Sequence, residues 1–178
     1  MDSSLTSRMI RAAKLDVDLY EEVEADQSAL GPAMLVVVLS SLAAGIGQIG
    51  AMSIAGLVVG AIGALISWFI WAYLTYYIGT RFFPEPQTEC TPGQLLRTIG
   101  FSSSPGLLRL FGFIPVLGGI IFLISSIWML LAMIIAVRQA LDYKSTARAV
   151  GVCLIGWVVL IIITGVLGLL FGGFGARM

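Results

Sequence analysis

The chain has 178 residues, 58% of them hydrophobic and 11% charged, with ten basic residues balancing ten acidic ones. A soluble domain carries about 25% charged residues, and this composition would leave too much apolar surface against water, so the chain reads as an all-α integral membrane protein forming one helical bundle. Balanced charge argues against a nucleic-acid partner, and the absence of histidine removes the commonest general base and the commonest metal ligand.

Residues 1–28 read as a cytoplasmic amphipathic segment and residues 29–178 as the membrane domain. Within residues 5–23, Leu5, Met9, Ile10, Ala13, Val17, Tyr20 and Val23 recur at helical spacing. Asp16 would interrupt one continuous apolar face, but as an N-cap it divides the segment into a basic helix with Arg8, Arg11 and Lys14 and an acidic one with Asp18, Glu21, Glu22 and Glu24. Such a pair can lie at the interface near anionic headgroups, offer a docking face, or pack as a solvated element under the bundle. No continuous apolar core precedes residue 27, so no cleaved leader is expected.

The first span is expected over residues 29–48, with Asp26 and Ser28 as possible caps and Pro32 near enough to the start to be tolerated. Gly45, Gly47 and Gly50 match the letters of a dinucleotide fingerprint, but without the strand and acidic residue that the motif requires. They read as an extracytoplasmic turn. The second span, residues 54–78, carries Gly56, Gly60 and Gly63 toward one end and Trp68, Phe69, Trp71, Tyr73, Tyr76 and Tyr77 toward the other. Small residues let helices approach closely and aromatic residues favour the membrane interface, so Gly56, Gly60 and Gly63 are candidate packing positions.

A proline-stiffened loop holding Cys90 leads to residues 94–113, where Ser102, Ser103, Ser104 and Pro105 predict a kink, since proline removes a backbone hydrogen bond. About 20 residues suffice to cross as a kinked third span. A fourth span over residues 114–137 and a fifth over 149–170 complete five transmembrane helices. With the N-terminus cytoplasmic, this arrangement puts Arg8, Arg11, Lys14, Arg81, Arg97, Arg138, Lys144 and Arg148 on one side, as the positive-inside rule requires, and Met178 on the other. A re-entrant third element would send the last three across.

No carboxylate lies deep in a predicted span, which disfavours ion-coupled transport. Arg109 falls in an apolar stretch, where it either meets a lipid phosphate or helix-end carbonyls, or snorkels to nearby headgroups. Arg138, Gln139 and Asp142 share a helical face at i, i+4 spacing and suggest a local ion pair. With Arg97 they form a candidate cytoplasmic polar cluster. Neither a nucleophile–base pair nor metal or cofactor spacing is present, so no enzyme and no cofactor is expected.

Residues 13–47 (AKLDVDLYEEVEADQSALGPAMLVVVLSSLAAGIG), 95–119 (LLRTIGFSSSPGLLRLFGFIPVLGG) and 126–157 (SIWMLLAMIIAVRQALDYKSTARAVGVCLIGW) resemble the prokaryotic branch of the Yip, or Ypt-interacting-protein, domain family. The "RTIGFSSSPGLL" segment, the "IPVLGG" turn and the "VRQALDY" end follow that family's order and spacing. The resemblance implies a five-span bundle with a cytosolic N-terminus in a prokaryotic cytoplasmic membrane, and brings no catalytic residues. Eukaryotic relatives are associated with Rab-type GTPases and trafficking. The expectation is a non-enzymatic membrane adaptor or accessory subunit, in contact with lipid and forming a homo-oligomer or a complex with other membrane proteins. The alternative is a small passive transporter or lipid-translocating protein lined by the kinked third element.

Overall fold

A computed structural model describes residues 4–48 and 53–175. Among these the chain forms seven α-helices and no strand: α1 (Leu5–Ala13), α2 (Val17–Ala25), α3 (Leu30–Gly47), α4 (Ile54–Arg81), α5 (Pro92–Ser102), α6 (Gly118–Ala140) and α7 (Thr146–Gly175). A 3-10 turn, Gln27–Ala29, leads into α3, and a 3-10 segment, Ser104–Phe113, comes after α5. Local chemistry accounts for most of the helix starts. Ser4, Asp16, Ser53 and Thr91 each accept a backbone N–H from the first turn that they precede. At Thr91 the cap is reciprocal, because the Gln94 side chain accepts the Thr91 amide at 2.6 Å.

Four helices among the described residues are long and apolar enough to cross a bilayer: Gln27–Gly47, Ile54–Arg81, Gly118–Ala140 and Thr146–Ile163. The expected third span is not a fifth helix of that kind. Instead of one kinked helix over residues 94–113, an eleven-residue α-helix gives way at Ser103 to ten residues of 3-10 helix. Pro105 has no amide to donate into an α-helical ladder. The serine hydroxyls serve the freed carbonyls, Ser102 Oγ donating to Ile99 at 2.7 Å and Ser104 Oγ to Phe101 at 2.7 Å. A 3-10 run longer than three or four residues is uncommon, because its hydrogen bonds are poorer. Here tight packing on two sides accompanies it. Methyl groups placed on Gly100, Gly106 and Gly47 would collide with Ala33, with Ser40 and with the carbonyl of Arg109 in turn.

These contacts also set the direction of the segment. Ala33, Ser40 and Gly47 of α3 meet residues 100, 106 and 109 in the same order, so α5 and the 3-10 segment run parallel to α3. On the other side, Gly106 faces Met129, Arg109 faces Ser126 and Gly112 faces Phe122, so α6 returns antiparallel. Gly79 of α4 packs on Leu141, and Gly156 of α7 on Trp71.

Among the described residues nothing lies within 4 Å of a methyl placed on Gly63, while Gly56 and Gly60 are half-buried. That face of α4 is turned outward, with Val59, Ile62 and Ile66 exposed around Gly63. The close approaches use Gly79 at the other end of α4 and glycines of α3, α5, the 3-10 segment, α6 and α7 instead. Gly45 and Gly47, expected in a turn, belong to the last turn of α3 and are buried. Gly50 and Met178 lie outside the described residues, so their expected extracytoplasmic placement does too.

The core lies toward the end that carries α1 and α2. Leu19, Tyr20 and Val23 of α2 are fully buried together with Val36, Leu95, Phe101, Val137, Leu141 and Val152. Burying an aliphatic or aromatic side chain is worth roughly 1.5–3 kcal/mol, so α2 is a structural plug in the base of the bundle. Of the apolar positions predicted from its spacing, Tyr20 and Val23 are turned into protein, while Val17 is 40% exposed and Leu19, off that row, is buried.

Candidate functional site

At the end where α1 and α2 sit, side chains from distant parts of the chain join the polar segments into one surface. The α1–α2 hairpin turns at Leu15, whose φ of 61° is left-handed, and is held by four ion pairs. Arg8 reaches Glu22 at 3.1 Å and Asp26 at 2.9 Å, and Arg11 reaches Asp16 at 2.7 Å and Glu22 at 2.6 Å. Hydrogen bonds from Arg11 hold the Asp16 and Glu22 carboxyls below the usual carboxylate range, and bonds from Ser28 and then Arg8 do so for Asp26.

Arg97 docks this hairpin on the bundle. Buried on α5 with 8% exposure, it donates through Nε to the Val23 carbonyl at 2.9 Å and through Nη2 to that of Glu24. Both carbonyls belong to the last turn of α2, where unpaired acceptors and the helix dipole favour a cation. Trp128 of α6 ties down the end of α1, its indole donating to the Ala13 carbonyl at 2.7 Å.

Further bonds extend the surface. Gln139 Nε2 donates to Glu21 at 2.9 Å, Gln94 Nε2 to Glu24 at 2.7 Å, and Gln87 Nε2 to the Asp142 carbonyl at 3.0 Å. The Lys144 amide donates to Glu85 at 3.2 Å, and Arg148 Nε pairs with the same carboxylate at 3.2 Å. Thus α2, the loop before α5 and the loop between α6 and α7 form a continuous face, on which Lys14, Asp18, Glu21, Asp142, Lys144 and Arg148 are exposed.

The expected ion pair between Arg138 and Asp142 is not present among the described residues. Helix α6 ends at Ala140, and Asp142 has a φ of 52°, which takes it off the helical row that would have brought it to Arg138. Arg138 Nε donates to the Tyr143 carbonyl at 3.2 Å instead. Arg97 and Gln139 therefore act on α2, Arg138 closes its own turn, and Asp142 faces a polar hollow of about 610 Å³ shared with Glu24, Glu89, Cys90 and Gln94. Glu24 is the principal residue of this site that the sequence did not single out. It is one of four acidic residues in nine, and no local signal tells which one Gln94 will meet.

Burial, and then the charge of Asp142, push the Glu24 carboxyl up to about 7 from an ordinary 4.5, against the opposing pull of the Gln94 hydrogen bond and of Arg97. The folded state thus holds this proton more tightly than the unfolded chain. Its contribution to stability is complete below pH 4.5 and is lost as pH rises through about 7. Glu24→Gln keeps an acceptor for Gln94 and removes the titration. It is expected to reduce the loss of stability between pH 5 and pH 8 by on the order of 1 kcal/mol after solvent screening, read as the difference in melting temperature at the two pH values. An unchanged pH slope would rule out this assignment. Burial also pushes the Cys90 thiol up to about 12, which leaves it protonated and a poor nucleophile at neutral pH.

Arg109 stands apart, toward the opposite end of the bundle. It does not extend toward the turn after Phe113. Its Nη2 donates to Ser126 Oγ at 2.9 Å, and its guanidinium lies 5.8 Å from the centre of the Phe122 ring.

The family model of the Yip1 domain matches residues 17–167. Comparison with curated proteins and with solved structures finds no match.

Proposed function

Given that the chain belongs to the Yip1 domain family, and so is a membrane protein, we propose that it acts as a non-enzymatic membrane adaptor or accessory subunit that binds partners through the face built on α2 and its two neighbouring loops. The observation that carries this reading is the set of cross-links Gln139–Glu21, Gln87–Asp142 and Arg148–Glu85, which join three polar segments far apart in sequence. A pre-organised polar face loses little entropy on binding, and exposed charges of both signs give it a pattern by which to select a partner.

In this reading α5 and the 3-10 segment cross the bilayer together as a composite fifth span. Ten residues of 3-10 helix rise about 20 Å and eleven of α-helix about 16 Å, enough in sum to match α3, beside which they run. The face then lies in the cytoplasm, because eight of the ten basic residues belong to segments on that side.

The test compares the wild-type protein with a variant carrying both Asp18→Lys and Lys144→Glu. Both residues are exposed, and their side chains make no hydrogen bond or ion pair among the described residues. Mild extraction followed by native mass spectrometry is expected to show a stoichiometric protein partner with the wild type and at least a tenfold loss with the variant, while the variant stays folded with only a small drop in melting temperature from the cation placed in the first turn of α2. A partnerless wild-type monomer that carries ions or lipid across reconstituted vesicles would overturn the proposal in favour of a translocating protein.

A further inference from the structure

The unused charge in this molecule is Arg109. In the whole sequence no Asp or Glu occurs from residue 90 to 141, or anywhere in 27–84 and 143–178. Among the described residues the carboxylates are confined to the segments of the cytoplasmic-type face, and none of them pairs with Arg109. Its contacts are neutral: the Ser126 hydroxyl and the Phe122 ring. Among the described residues its Nε is buried without a hydrogen-bond partner, and so is Nε1 of Trp71, a residue with 8% exposure.

Arg109 also points the wrong way for a side chain that merely escapes to water. Ser126 lies eight residues into α6, which begins at Gly118, or about 12 Å along the helix axis. The guanidinium is thus held beside the middle part of an apolar helix, where an uncompensated cation is expensive. It sits in a crevice of about 340 Å³ between α4, α6 and α7. Beyond Arg109 and Ser126 the lining turns apolar: Trp71, Met129, Leu130, Met133 and Trp157. Trp157 at the rim is 50% exposed, so the crevice opens sideways toward the surrounding bilayer.

We propose that this crevice binds one anionic glycerophospholipid. Its phosphate meets Arg109 and Ser126 below the ordinary headgroup plane, and an acyl chain occupies the Met129–Met133 channel between Trp71 and Trp157. Charge complementarity selects the phosphate, since Arg presents a planar fork of donors suited to it. The apolar channel and its lateral mouth select a lipid over a free anion. A net negative headgroup is preferred, because a zwitterionic one brings a second cation near Arg109. The proposal does not depend on the partner-binding face.

The full chain, purified in mild detergent, is mixed with equal amounts of phosphatidylglycerol and phosphatidylcholine and examined by native mass spectrometry. The expected result is one retained phosphatidylglycerol, favoured at least tenfold, and a tenfold or greater loss of retention in Arg109→Gln. Sodium phosphate at millimolar concentration is expected neither to bind nor to displace it. Leu130→Trp, at the half-exposed lip, narrows the channel while leaving Arg109 in place. It is expected to weaken retention as well, and provides the decision if Arg109→Gln does not fold. Equal retention of the two lipids, or retention unaffected by both substitutions, would show a snorkelling arginine and defeat the proposal. Displacement by inorganic phosphate would defeat it in favour of a simple anion site.

Discussion

Arg97→Ala is expected to loosen the α1–α2 hairpin from the bundle and leave the membrane helices folded. The arginine is buried and donates to two carbonyls in the last turn of α2, those of Val23 and Glu24. Truncation leaves the buried Val23 carbonyl and the half-buried Glu24 carbonyl without their donor, at up to roughly 1–3 kcal/mol each, and withdraws the cation from the negative end of the helix. The fully buried side chains of Leu19, Tyr20 and Val23 oppose release, so the hairpin remains mostly docked. A net loss of about 3 kcal/mol raises its open population by about two powers of ten. Amide hydrogen exchange reports this directly. Residues of α2 should exchange about a hundredfold faster, while those of α6 stay protected. Arg97→Lys, which keeps the charge but not the planar fork, should fall between. If α2 exchanges at the wild-type rate in Arg97→Ala, the hairpin is held by its apolar face alone and the docking role assigned to Arg97 is wrong.

The second large effect is expected at Gly47. A Cβ on this residue would land on the backbone carbonyl of Arg109. That atom cannot rotate away as a side chain could, so the 3-10 segment must move as a body. Overpacking of a well-fitted site costs about 1–3 kcal/mol and sometimes more, and Gly47→Val should stand at or above the upper end of that range. The same substitution at Gly63, which meets nothing within 4 Å among the described residues, should leave the melting temperature nearly unchanged. Gly106→Val should be intermediate, because its two nearest contacts, Ser40 Oγ and Met129 Sδ, belong to side chains that can turn, although Ser40 Cβ at 3.2 Å cannot. If Gly63→Val proves as damaging as Gly47→Val in the isolated monomer, the close approach of α3 and the 3-10 segment does not govern stability.

The contrast between Gly47 and Gly63 explains much of what could and could not be read in advance. Both are glycines in apolar stretches, and sequence spacing drew attention to Gly56, Gly60 and Gly63. Whether a small residue faces another helix or the outside depends on how the helix is rotated in the bundle. In an almost uniformly apolar helix such as α4, no contrast between polar and apolar faces reveals that rotation.

The sequence by itself determined those features whose causes are local or belong to the bilayer. Long uncharged apolar runs produce helices that can cross, because every backbone polar group must be satisfied within the helix in a medium without water. Asp16 divides the N-terminal segment and Thr91 with Gln94 begins α5, because a cap needs only a side chain and amides two or three residues away. The break near Pro105 was legible for the same reason. Only the tertiary structure decided how the chain continues past Pro105, as a 3-10 segment wedged between α3 and α6 and fitted there by glycines on two different elements. It also decided that Arg97 serves carbonyls 73 and 74 residues away, that Asp142 turns aside from Arg138, and that Arg109 leans inward to Ser126. Each of these side chains has several partners within reach of its length. The choice among them is made by packing between helices distant in sequence, which no local pattern encodes.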